Sequence, residues 1–119
     1  GIAFQIQRCS NAAKFAAVRV AGVANEVMED DEATFAQLYA RIDKTVAFLQ
    51  GVPAESFTGT EETEVVLKGP VQEHKFSGLG YVQQYALPNF FFHESMAYAI
   101  LRKEGVPVGK LDFLLGGSM

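Results

Sequence analysis

With one cysteine, Cys9, the chain can form no internal disulfide and no thiolate zinc cluster, which points to a reducing, cytoplasmic setting. Tryptophan is absent, and no catalytic signature occurs anywhere in the chain. Basic residues are the scarcer charge: Lys and Arg number 10 against 14 Asp and Glu, for a net charge of −4. That balance argues against an electrostatic grip on nucleic acid or on an anionic membrane, and Arg8, Lys14 and Arg19 read as scattered rather than as a stripe. There is also no uninterrupted apolar run long enough to span a bilayer. The longest stretch, 81–101, is broken by Gln83, Gln84, Asn89, His93, Glu94 and Ser95. No basic n-region of a signal peptide opens the chain, and residues 2–6 are already in helical stride with no cap before them, which reads as a start within a longer element. What remains is globular: 49% hydrophobic and 20% charged over 119 residues, enough for one core and too short for two, so 1–119 is expected to be a single domain.

Apolar spacing then places the elements. Residues 2–21 form an alanine-rich helix closed by Gly22, with Ile2, Ile6, Cys9, Ala12, Ala13, Ala16 and Val20 on one broad face and Phe4, Phe15 and Val18 on a second. Two apolar faces call for two sets of neighbours. The acidic connection 25–32 reads as a solvated loop. Residues 32–50 carry Phe35, Leu38, Tyr39, Ile42, Val46 and Leu49 at helical spacing and stop at Gly51 and Pro53. Short strands over 64–67 and 72–76, joined across Gly69 and Pro70, predict a hairpin that needs something to pack on. Ser77 is the expected N-cap of a last helix over 78–103, kinked near 84–88 by Pro88, whose ring should free the Gln84 carbonyl. The apolar tail 111–115 should dock on the body, and 116–119 should fray.

On that last helix Asn89 and His93, four residues apart, fall in the middle of an apolar face. They read either as a coupled core pair, with the freed Gln84 carbonyl a partner for Asn89, or as an interior site for a small molecule. Tyr85 and Tyr98 are candidate hydroxyl donors, and Gln5, at the edge of the first helix's broad face, is within reach of the same interior. Candidate catalytic residues are therefore His93, Asn89, Tyr98 and Tyr85, and candidate ligand-binding residues Gln5, Asn89 and His93. Phe90, Phe91 and Phe92 point in three directions, so at least one should meet a second element or a partner. His74, beside Glu73 and Lys75, reads as solvated, and Cys9 as an inert small hydrophobe. No residue pattern names a reaction, and whether the chain is an enzyme stays open.

The run Tyr85-Ala86-Leu87-Pro88-Asn89-Phe90-Phe91-Phe92-His93, followed by residues 97–102 and 105–110, resembles the C-terminal signature of DUF1993, a family of unknown function similar to the DinB/YfiT-like superfamily. Residues 4–7, 12–14, 19–22, 34–35, 41–42 and 48–49 match the same family's earlier segments. The resemblance implies an all-α, DinB-like up-down four-helix bundle, seen without its first helix and carrying a small β-hairpin before the last one, and it implies a homodimer. It also brings a metal into question, since many superfamily members hold a divalent ion with three histidines. Here only His93 matches a ligand position, with Asn89 where a second histidine would stand and only Gln5 and Gln7 in the segment that would supply the third. No cofactor is expected from the residues themselves. Two functions follow as expectations: a bundle that binds or transforms a small molecule around His93 and Asn89, or a non-catalytic protein that associates through a helix face.

Overall fold

The computed structural model describes residues 1–116, so the fraying expected over 116–119 lies, past Gly116, outside the described residues. Helix α1 (Ile2–Ala16) runs on through a π-helical turn, Ala17–Ala21, and ends at Gly22 with φ 74°, a left-handed stop that a side chain would strain. Helix α2 (Phe35–Gln50) begins later than the expected start at residue 32, because Thr34 caps it. The Thr34 hydroxyl accepts from the Gln37 backbone N–H, and the Gln37 side chain accepts from the Thr34 N–H in return. Strands β1 (Glu64–Lys68) and β2 (Glu73–Ser77) pair antiparallel with Val65 opposite Phe76. The Ser77 hydroxyl then accepts from the Gly80 N–H and starts α3 (Gly78–Tyr81), which passes through a π turn, Val82–Ala86, into α4 (Leu87–Lys103). Residues 78–103 thus form the continuous helical rod expected of them. A short α5 (Lys110–Leu115) follows and docks Phe113 edge-on against Tyr98 at 5.7 Å.

Pro88 is absorbed by the π turn. The Leu87 N–H reaches back five residues to the Val82 carbonyl, and the proline falls in the first turn of α4, where its missing N–H is least costly. The acceptor role expected for the Gln84 carbonyl toward Asn89 is a correction: no hydrogen bond joins the two among the described residues.

Helix α1 is the element on which both α2 and α4 pack. Where the hairpin covers the end of α1 and the start of the rod, Val20, Val65, Tyr81 and Ala86 are buried together, with Phe76 and Leu67 against them. The hairpin therefore has the packing surface it needs. Between α1 and α2 the core is polar. Arg41, fully buried, donates from Nε to the Ser10 hydroxyl (2.8 Å), from Nη2 to Asn11 Oδ1 (3.0 Å), and from Nη1 to the Glu29 carbonyl, Asp30 and Glu32. Ser10 and Thr45 hydroxyls meet at 2.7 Å beside buried Met28. The acidic connection is thus no mere solvated loop. Its backbone and two of its carboxylates neutralise a buried guanidinium, a knot that hydropathy gives no sign of.

Three long helical rods and one hairpin, with the short α5 and a single helical turn at Ala54–Phe57, are the regular elements of the described residues. The helix that the family resemblance implied ahead of α1, and with which the second apolar face of Phe4, Phe15 and Val18 agreed, finds no support in the described residues, where two of these side chains have partners of their own. Phe4 lies edge-on to His93 at 6.1 Å with the Arg8 guanidinium 4.8 Å over its ring, while Phe15 is flanked by Lys14 and Arg19, each 4.6 Å from its centroid. Val18 is half-buried. Phe4 is nonetheless 46% exposed, and a longer run of open apolar surface lies along Phe35, Tyr39, Ile42, Val46 and Leu49 of α2. Of the three consecutive phenylalanines, Phe90 is half-buried toward α1 while Phe91 and Phe92 are exposed. His74 is exposed as expected.

Candidate functional site

The seam where α1 crosses α4 gathers the polar residues of both helices. Spacing explains why. Arg8, Ala12, Phe15 and Arg19 stand at i, i+4, i+7 and i+11 on α1, and Tyr81, Tyr85 and Asn89 at i, i+4 and i+8 on the facing rod, so each set makes one line along its helix. Ala12 within the first line and Ala86 beside the second are small and buried, and between them a cavity of about 150 Å³ opens, lined also by Asn11.

Aromatic rings and cations order its walls. Tyr81 and Tyr85 stack at 5.6 Å with their planes 29° apart, and Phe76 meets both from the hairpin. Arg19 donates from Nη1 to the buried Tyr81 hydroxyl (2.9 Å) while lying over the Phe15 ring. Asn11 is held from behind, its amide donating to Asp30 and its carbonyl accepting from Arg41.

One helical turn beyond Asn89, His93 bonds across the seam to Gln5. The ring N–H at Nδ1 donates to Gln5 Oε1 at 2.6 Å, which leaves Nε2 as the basic nitrogen. Burial first, and the positive charge of Arg8 second, hold the imidazole below its ordinary 6.5, so it is neutral at physiological pH. The expected His93–Asn89 pair is therefore a correction: His93 is paired, but with Gln5, and no hydrogen bond joins it to Asn89 among the described residues. Asn89 lines the cavity with Tyr85, whereas His93 and Gln5 stand beside it. Tyr98 is not part of this group; its hydroxyl accepts from Arg102 (2.7 Å) on the part of α4 that faces α5.

On the other side of α1 the Cys9 thiol donates to the Phe90 carbonyl (3.7 Å), and burial, reinforced by Glu94, pushes it up to about 11. Burial also raises the Glu94 carboxyl above its ordinary range. Both line an apolar hollow of about 310 Å³ with Ile6, Ile42, Val46 and Leu49, and a second hollow of about 480 Å³ adjoins it through Ile6 and Ile42.

The residues do not fit a bound transition metal. Among the described residues no three His, Cys, Asp or Glu side chains converge as ligands, the Nδ1 of His93 is engaged by Gln5, and one imidazole among amides is a weak donor set for zinc or nickel. Two site residues were missed in the sequence, Arg8 and Arg19. Their separation of eleven residues, three turns of helix, was the signal.

Residues 1–114 match a family model described as "Domain of unknown function (DUF1993)". Among solved structures the chain is similar to a DinB family member protein from Shewanella denitrificans, with 31% sequence identity and a TM-score of 0.87; the match covers 100% of this chain and 66% of that one. This chain thus spans just under two thirds of that relative's length. No match is found among curated proteins.

Proposed function

The chain belongs to the DUF1993 family and is DinB-like, and from that premise we propose that it binds a small molecule at the α1–α4 seam, in the cavity to which Asn89 contributes and beside which Gln5 and His93 pair. The observation that carries this reading is the cavity itself, walled by stacked Tyr81 and Tyr85 and held open by Ala12 and Ala86. Binding pockets set fixed polar groups beside apolar ones, and this cavity, mostly polar in its lining, sets them around aromatic rings. Its lining offers hydrogen-bond donors and rings but no thiol, carboxylate or imidazole, so the reading is one of binding. A screen of ring-sized neutral and charged fragments, read by backbone amide NMR, should shift Phe15, Tyr85 and Asn89, and Ala86→Leu, which fills the cavity, should abolish every such shift. If no fragment moves these residues, or if Ala86→Leu leaves the shifts unchanged, the reading fails.

A second reading, association of two copies, is favoured by the exposed apolar stripe of α2 beside the two hollows on α1. Apolar patches of this kind mark interaction surfaces, and a two-fold dimer presents the same patch from both partners. Light scattering should then give a dimer that Ile42→Glu converts to a monomer. A wild-type chain that stays monomeric at NMR concentrations would remove this reading.

A further inference from the structure

We infer that the α1–α4 cavity takes a small organic oxyanion, a carboxylate or a phosphate ester on a body of about one aromatic ring, held by Arg8 and Arg19; the inference rests on the small-molecule reading above. The first ground is the charge of the lining. The chain carries 14 acidic residues and a net charge of −4, yet no acidic residue lines this cavity and two arginines do.

The second ground is that these arginines are unspent. Among the described residues the ion pairs belong to Arg41 and Lys44, not to Arg8 or Arg19. A guanidinium carries five N–H donors. Arg19 uses one, on the Tyr81 hydroxyl, and Arg8 makes no hydrogen bond to the protein, its charge resting only on the Phe4 ring. The carboxylates of Asp30 and Glu32 are committed to Arg41. Tyr85 and Asn89 line the same space, and among the described residues neither side chain has a hydrogen bond to the protein. The result is a donor-rich, acceptor-poor cavity.

The third ground is order. Arg19 is fixed between the Phe15 and Tyr81 rings by its hydrogen bond, so little side-chain freedom is lost when it meets a ligand. Guanidinium forks match carboxylate and phosphate oxygens in pairs, and charge-assisted bonds of this kind are about twice as strong as neutral ones. For size, a 150 Å³ cavity is one that holds benzene. The stacked tyrosines give a flat wall for such a ring.

The test is an NMR titration of the full chain with three probes of one shape: benzoate, phenyl phosphate and the neutral benzamide. At least one anion should saturably shift Phe15, Arg19, Tyr85 and Asn89, and the tighter of the two identifies the head group. Benzamide should bind at least tenfold more weakly, and Arg8→Gln and Arg19→Gln should each weaken the anion at least tenfold. Should Arg19→Gln unfold the chain, Arg8→Gln and Arg19→Lys decide the matter, the lysine keeping the charge but losing the fork and part of the affinity. Benzamide binding as tightly as the anions, or arginine variants without effect, overturns the charge inference and leaves the cavity reading standing. If none of the three probes shifts these residues, the oxyanion inference falls, and the fragment screen with Ala86→Leu decides the cavity reading separately.

Discussion

Gln5 and His93 lie 88 positions apart in the chain and share one short hydrogen bond. Leaving either half-buried group without its partner should cost about 1 kcal/mol, and a double-mutant cycle of Gln5→Ala and His93→Ala should show the two losses to be non-additive by a similar amount. Asn89→Ala combined with His93→Ala should instead be additive, and urea unfolding separates the two cases. At Cys9 a thiol near pH 11 holds about a hundredfold less thiolate at pH 8 than an ordinary one at 9.0. Its alkylation by iodoacetamide in the folded chain should be slowed by at least that factor, and alkylation at the rate of free cysteine would show the thiol to be neither buried nor raised. Residues of this kind were partly legible. The apolar face that carries Asn89 and His93 follows from spacing alone, but the partner of His93 does not, because the sequence fixes which face a side chain is on and not which of several facing amides it meets. Arg8 and Arg19 were misjudged for a simpler reason. They were weighed together with Lys14, which lies on another face and points its ammonium at the Glu26 carbonyl (2.8 Å).

Among elements, helix existence and ends were readable because the caps are local chemistry: Ser77 before α3, Gly22 after α1. The start of α2 was misplaced because the acidic residues before it suit a helix N-terminus, while Thr34 provides the cap that decides the boundary. What spacing could not reveal is how α2 is tied to α1, since Arg41 looks like a surface residue in a helix with so open an apolar stripe. Replacing it tests that tie. Arg41→Met leaves Glu32, whose side chain is 8% exposed, without its cation, and should destabilise by about 3 to 5 kcal/mol in urea unfolding. Asp30→Asn, at a half-exposed carboxylate, should cost less than about 1 kcal/mol. Equal effects would show that burial does not set the strength of this knot. At the other end of the molecule Gly78 is required by close approach, because a Cβ there would overlap the Thr60 carbonyl oxygen, so Gly78→Ala should lower the melting temperature by displacing the loop between Phe57 and β1.

For the whole molecule, acid is the sensitive direction. Burial raises the Glu32 carboxyl, but hydrogen bonds from Arg41 and Gln7 outweigh that and hold it below its ordinary 4.5. Both Glu32 and His93 take up protons more readily in the unfolded chain than in the folded one, so the stability each contributes is present at neutral pH and lost on acidification. The loss begins below 6.5 for His93 and below 4.5 for Glu32. Glu94, raised by burial, works in the opposite sense, since protonation relieves its cost. The difference in melting temperature between the wild-type chain and His93→Gln should therefore shrink as pH falls from 7 toward 5; a constant difference would mean that His93 titrates alike in both states. The organisation that makes α1 the common partner of α2 and α4 also governs how the chain reaches its fold. Contacts between the first and the last long helix close a loop of most of the chain, and such long-range closure slows folding relative to helical proteins whose neighbours are adjacent in sequence. During synthesis α1 emerges before α2 and α4, meets α2 early, and then waits with its seam face bare until residue 103 has left the ribosome. Over that interval a chaperone or a second nascent chain competes for the surface that α4 will cover.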